Sequence, residues 1–397
     1  MIFRNLARLS AAALLTSGAF AALGAPAYAE DAGTDLSIDV AGTRLAAGTT
    51  DKVGSIKLTN RGADTPTGVK INIDVTQLDL DKVTLAPFAE ERCAETEPAG
   101  RRVWECAIHD FAVPEPGTTS DLPLVVFRAA EGLKEAYSAP VTFTVVVPGD
   151  TNSENDSKTV QIELTTENGV DLEVWAPDVN AQVAWEPGGE PELLKSTLNP
   201  GDETIVFAGF GNQGDMIADG LDFVASLPEG VTFSERLRGC EVSADRRRAT
   251  CAAGTTRLMP GKTVYGVFAV KVAADVPAPV LLPGGTVSAT SRGALPVTDK
   301  SLARAAGGEL PPFLTTTKID AVEDIDPSDD SDDFTVKVAA VTGGGGGGDG
   351  GLPVTGPQAG LIGGIGVAVL AVGGTLFVLA RRRRVVLVTP NDERPAA

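Results

Sequence analysis

With a single histidine, His109, in 397 residues, the chain has little from which to build the histidine-centred sites of serine triads or zinc enzymes. A triad would rest entirely on His109 beside Asp110, and a surface histidine is the expected role. No CxxC, GxSxG, SxxK or HExxH occurs. PGKT at 260–263 lacks the leading glycine of a phosphate-binding loop, since position 256 is Thr256, so a strand turn is expected there. Carboxylates abound but no pair stands out, and no catalytic residue is assigned. Aromatics make up only 5% of the chain, and no long segment between the two ends carries a helical period. Positive charge is scarce as well. Thirty-three Lys and Arg against 53 Asp and Glu give a net charge of −20, which disfavours nucleic acid and anionic membranes as partners.

What is present begins with the ends. Residues 1–29 carry Arg4 and Arg8, an Ala/Leu-rich apolar stretch and a close on Ala27-Tyr28-Ala29, the small-x-small pattern of a cleaved signal peptide. The general secretion machinery is the expected route, because no twin arginine is present. Residues 357–380 are uncharged, and 24 residues reach roughly 36 Å as a helix, enough to span a bilayer. Arg381–Arg384 follow at once and mark 381–397 as a cytoplasmic basic tail. Two positive charges leave with the signal peptide and a net three with the residues after Thr355, so the part between carries −25.

Landmarks recur within that part. SIKLTNRG (55–62), Cys93 and Cys106, PGTT (116–119) and TVQIEL (159–164) are answered in order by TIVFAGFGNQG (204–214), Cys240 and Cys251, PGKT (260–263) and TVKV (335–338). Two domains are expected, 30–166 and 167–340. Both alternate with period two, as in Val69, Ile71, Ile73 and Val75 or Phe334, Val336 and Val338, between turns such as Asn60-Arg61-Gly62 and Pro228-Glu229-Gly230. An all-β chain of two sandwiches follows. Cysteines in an exported chain read as disulfides; nearest neighbours give Cys93–Cys106 and Cys240–Cys251, one of three connectivities. Trp104, Trp175 and Trp185 are expected to fill core, Trp104 beside the Cys106 bridge.

The run 227–272, with Gly230-Val231-Thr232-Phe233, the pair Cys240/Cys251 and Pro260-Gly261, together with Asn212-Gln213-Gly214, resembles the immunoglobulin-like repeat of unknown function found in tandem in bacterial surface proteins. That resemblance implies a sandwich fold and a surface setting, with no catalytic residues. The first repeat shows no GV-x-F element before Cys93. Leu352-Pro353-Val354-Thr355-Gly356, followed by the apolar span and Arg381–Arg384, resembles the sorting signal of LPxTG sortase-anchored surface proteins of Gram-positive bacteria, high-GC actinobacteria among them. The resemblance implies that sortase cleaves between Thr355 and Gly356 and passes the Thr355 carboxyl to peptidoglycan, the membrane serving only the precursor. A single-span membrane protein left unprocessed is the alternative. Residues 341–351, nearly all glycine after Thr342, read as a flexible tether.

Three further features remain. EDIDPSDDSDD (323–333) holds seven carboxylates; a solvated loop is expected, and a calcium site is the alternative, although the spacing misses the EF-hand pattern. Arg246, Arg247 and Arg248, with Arg236 and Arg238, form a basic cluster on the second cysteine hairpin, and Arg92, Arg101 and Arg102 lie on the first. They would contact an anionic wall polymer, or else pair locally with Glu235, Glu241 and Asp245. Lys–Asn crosslinks are open in such domains, whereas a pilus subunit is disfavoured because no YPK motif is present. The expected role is a non-enzymatic structural stalk or adhesion module with no cofactor unless calcium; the surface ligand is not legible.

Overall fold

A computed structural model describes residues 33–49, 51–88, 92–130, 135–185, 191–234, 237, 239–297 and 323–340. Signal peptide, tether, LPVTG, apolar span and basic tail lie outside the described residues, as do Glu235, Arg236 and Arg238. Among the described residues no helix is long and apolar enough to cross a membrane.

The first sandwich is built from β1 (Leu36–Ala41), β2 (Arg44–Leu45), β3 (Lys52–Asn60), β4 (Lys70–Asp74), β5 (Val83–Pro87), β6 (Cys93–Thr96), β7 (Val103–Ala107), β8 (Thr119–Ala129), β9 (Tyr137–Val146) and β10 (Ser157–Leu164). One sheet has the order β1-β3-β8-β5 and the other β2-β10-β9-β4-β7-β6. Alternation along β3 sends Ile56 and Leu58 inward, where they meet Ile71, Ile73, Val141, Phe143 and Ile162 from the facing sheet. Burying these apolar side chains is the main favourable term of the fold.

The second sandwich uses β11 (Leu172–Trp175), β12 (Gln182–Ala184), β13 (Glu192–Lys195), β14 (Glu203–Asn212), β15 (Met216–Ser226), β16 (Val231–Phe233), β17 (Cys240–Val242), β18 (Arg248–Leu258), β19 (Lys262–Val272), β20 (Val280–Ser291), β21 (Ala294–Pro296) and β22 (Ser331–Val338). Its sheets run β11-β14-β19-β16 and β17-β18-β15-β20-β22, with β12 and β13 forming a separate hairpin and β21 pairing β15. Phe210, Phe233, Phe268 and Phe334 dominate its core.

The two sandwiches repeat each other almost strand for strand. Leu36 pairs with Asn60 and Leu172 with Asn212 at the start of each first sheet. Asn60 and Asn212 are buried and do the same work. Each side-chain amide donates to two carbonyls, those of Asp64 and Pro114 in one case and of Met216 and Leu258 in the other. Each side-chain carbonyl accepts from the glycine two residues on, Gly62 or Gly214. Those glycines leave no room for a Cβ, which at Gly62 would lie 2.6 Å from the Asp35 nitrogen and at Gly214 2.7 Å from that of Asp171. Val83-Thr84-Leu85 occupies in β5 the place that Val231-Thr232-Phe233 holds in β16. The first repeat therefore does carry the strand before its cysteines, with leucine in place of phenylalanine.

Both disulfides pair as nearest neighbours. Cys93 faces Cys106 and Cys240 faces Cys251 across antiparallel ladders, each with Cα atoms 4.0 Å apart. Replacing Cys240 and Cys251 together by alanine is expected to cost about 3 kcal/mol from loop closure in the unfolded chain. Denaturant unfolding of the unsubstituted and the doubly substituted protein measures it.

Candidate functional site

The acidic run is no solvated loop. Asp326, Asp329 and Asp332 are 3%, 5% and 9% exposed, and they close over a lysine supplied by the other sandwich. Lys52 opens β3 with no exposed surface. Its Nζ donates to Asp171 Oδ1 and Oδ2 at 2.9 and 2.7 Å and to Asp326 Oδ2 at 2.9 Å, with Asp329 Oδ2 at 3.2 Å. Gly42, at a φ of +73°, lets the chain pass beside this cage, where a Cβ would sit 3.1 Å from Asp329 Oδ2. Five residues along the same strand, Lys57 pairs with Asp332 and Asp333 from β22 and lies 3.8 Å from Asp121 of β8.

Further hydrogen bonds extend the joint. The Asp178 carboxylate accepts the Thr119 amide of the first sandwich and the Thr335 amide of the second, both at 2.6 Å. Gln213 reads the backbone of Val53, accepting its N–H at 2.6 Å. Asp326 also accepts the Arg44 amide, Asp215 the Gly48 amide, and Glu173 the Ser55 hydroxyl. Lys337 reaches Glu115 at the rim.

The electrostatics follow from burial. Desolvation opposes the Lys52 charge, but Asp329, Asp171 and Asp326 outweigh it and hold its pKa above the ordinary lysine value. Burial pushes Asp171 up to about 6 despite Lys52, and Glu173 up to about 7. It likewise raises Asp178 to about 6 and Asp324 to about 7. Asp329, whose two oxygens lack a hydrogen-bond partner, is driven well above the carboxylate range by the same cause. Burial also acts on Asp326, but there Lys52 and Ser328 prevail and its pKa is lowered.

This arrangement is a clasp. Asp326, Asp329, Asp332 and Asp333 gather on the two ammonium groups, and among the described residues no cluster of three or more His, Cys, Asp or Glu is arranged to hold a metal ion. Lys52 and Lys57 face aspartates, while Asn60 and Asn212 are spent on backbone carbonyls, so neither lysine meets a Lys–Asn partner there.

Of the arginines on the second cysteine hairpin, Arg246, Arg247 and Arg248 lie among the described residues. Arg247 caps its own sandwich by donating to the Leu227 carbonyl, and Arg248 donates to Ser226. Arg246 is exposed at the turn with a φ of 57°, and Arg101 is paired with Asp74 on the first sandwich. His109 stacks on Phe111 at the surface, 4.6 Å between ring centroids. Trp104 packs on the first core as expected. Trp175 does not fill core: it lies on the outer face of the second sandwich over Gly209, where a Cβ would overlap the indole. There it meets Phe207 at 5.3 Å and Tyr265 at 6.1 Å. Counted from Asn60 and Asn212, Phe207 holds the place of Ser55, which in the first sandwich lies under the joint.

No protein-family model matches the chain, and no curated protein does. Solved structures are similar to parts of it. AvmM, which catalyses macrocyclization in alchivemycin A biosynthesis, is 18% identical over 36% of this chain and 97% of its own, with a TM-score of 0.22. The C-terminal domain of the Streptococcus agalactiae antigen I/II polypeptide BspA is 10% identical over 66% of this chain and 97% of its own, at 0.22. The collagen adhesin of S. aureus is 9% identical over 77% of this chain and 93% of its own, at 0.19. At these scores the likeness carries no argument, and the fold rests on the strand order and registers above.

Proposed function

We propose that the chain is an exported cell-surface protein, joined to peptidoglycan by sortase, whose two sandwiches act as a non-enzymatic stalk. The observation that carries the stalk role is the clasp at Lys52, which ties two sandwiches into one mechanical piece. A spacer needs a joint that resists bending, and buried ionic and amide contacts supply that resistance in a way a bare linker cannot. Anchoring is supported by the order of Leu352–Gly356, the uncharged span and Arg381–Arg384.

An adhesive role has one observation in its favour, the aromatic face around Trp175 with Tyr265 half exposed. The calcium-dependent form of that role loses its main support, because the acid run is engaged with lysines. The test is fractionation of the producing cell with and without sortase. Wall-bound protein ending at Thr355 is expected with the enzyme, and membrane-bound precursor without it. Membrane-bound protein in both would refute anchoring.

A further inference from the structure

The clasp holds far more acid than base. Lys52 on β3 is faced by Asp171, just before β11, by Glu173 within it, and by Asp324, Asp326 and Asp329 from the loop before β22. Lys57 is faced by Asp121 from β8 and by Asp332 and Asp333 from β22, with Asp178 beside them. The rim cations give no relief: Arg44 lies against Glu163, and Lys337 is engaged with Glu115. One buried and one half-buried ammonium group cannot neutralise so many carboxylates, of which Asp333 alone is well exposed, and burying the surplus as ions would be prohibitive. Neighbouring acids with one cation between them resolve this by sharing protons.

We propose that the joint is a proton-operated hinge, in which surplus carboxylates hold protons while the sandwiches are closed and release them as the joint opens. The sign follows from linkage. Asp171, Glu173, Asp178 and Asp324 bind protons more tightly in the closed joint than in the open one, where water restores ordinary values. Closure is therefore strengthened as pH falls from about 8 to about 5 and weakened as pH rises through 6 to 7. Asp326 acts oppositely, but only below the ordinary carboxylate range. Lys52 and Lys57 keep their charge until strongly alkaline pH. Each sandwich has its own core and stays folded while the joint moves.

Hydrogen exchange on the full chain in detergent micelles tests this. The Arg44, Val53 and Thr119 amides donate across the joint and report its opening; Phe143 and Val206, inside the two sheets, serve as controls. After correction for intrinsic rates, protection of the three joint amides is expected to fall about tenfold or more between pH 5.5 and 8.5, tenfold being one unit of proton affinity. The controls should hold. Asp329→Asn, which fixes one of the surplus acids in its uncharged form, should diminish the dependence without abolishing it, because Asp171, Glu173, Asp178 and Asp324 still titrate. Equal protection across pH in the unsubstituted chain overturns the hinge, and so does a parallel loss at the control amides or an undiminished dependence in the Asp329→Asn chain.

Discussion

Lys52→Met is expected to destabilise the closed joint by about 3–5 kcal/mol at pH 8, the range for removing one partner of a buried ion network. Methionine keeps an apolar stem of similar length, so little packing is lost. What remains is Asp171, Asp326 and Asp329 with no cation between them, in a place where Asp171 has no exposed surface. The cost should shrink at pH 5, because carboxylates that have lost their cation take up protons instead. Adding Asp326→Asn and Asp329→Asn should recover much of the loss, since a neutral network of similar shape avoids the unpaired charge. Calorimetry of the three proteins at the two pH values measures this. Equal melting of the unsubstituted chain and Lys52→Met at pH 8 would show that the clasp contributes nothing.

The second large effect is predicted inside a sandwich. Asn212→Asp should cost about 3 kcal/mol or more, although the two side chains have nearly the same shape. The amide nitrogen donates to the Met216 and Leu258 carbonyls at 2.8 Å each. A carboxylate there would set oxygen against oxygen, in a position 1% exposed to solvent. The pH dependence should be strong, with part of the loss regained below pH 5 once the acid can donate one bond. Asn60→Asp should act in the same way on the first sandwich, whose amide makes the twin contacts. Denaturant unfolding with a probe in each sandwich separates the two, and a midpoint unchanged in both variants would refute the role assigned to these residues.

Much of the architecture was readable in the chain because its causes are local. Period-two runs such as 69–75 alternate in every strand they enter, and the close cysteine pairs sit across from one another because each belongs to a single hairpin. Asn-x-Gly recurs because one side chain must satisfy three backbone groups at a strand end. The clasp was not readable for the opposite reason. Asp326 and Lys52 are 274 positions apart, and a dense acid run carries no sign of a distant cation that will bury it. Lys52 itself reads as an ordinary charged residue entering a strand. Trp175 was misplaced on similar grounds, since an aromatic in a strand reads as core until Gly209 is seen to make room for it outside. The β5 strand was missed in the first repeat because leucine replaces the expected phenylalanine, a change of size that the sheet accepts.

The duplicated loop has a consequence for assembly. In the first sandwich Asp150 accepts the Leu36 amide as Asp324 accepts that of Leu172, and the Asn155 carbonyl meets Ile38 as that of Asp329 meets Val174. The two loops run in the same register, and in it Asn152 and Asn155 stand where the second has Asp326 and Asp329. On the other side, counting back from Asn212, Thr204 and Gly209 stand where the first sandwich has Lys52 and Lys57. The plug with full charge is found only on the second unit and the socket with ammonium groups only on the first. Repeats identical at these positions would each carry both plug and socket. These four positions give the pair a polarity, so that a further copy of the second unit would find Thr204 and Gly209, not lysines, on the unit before it.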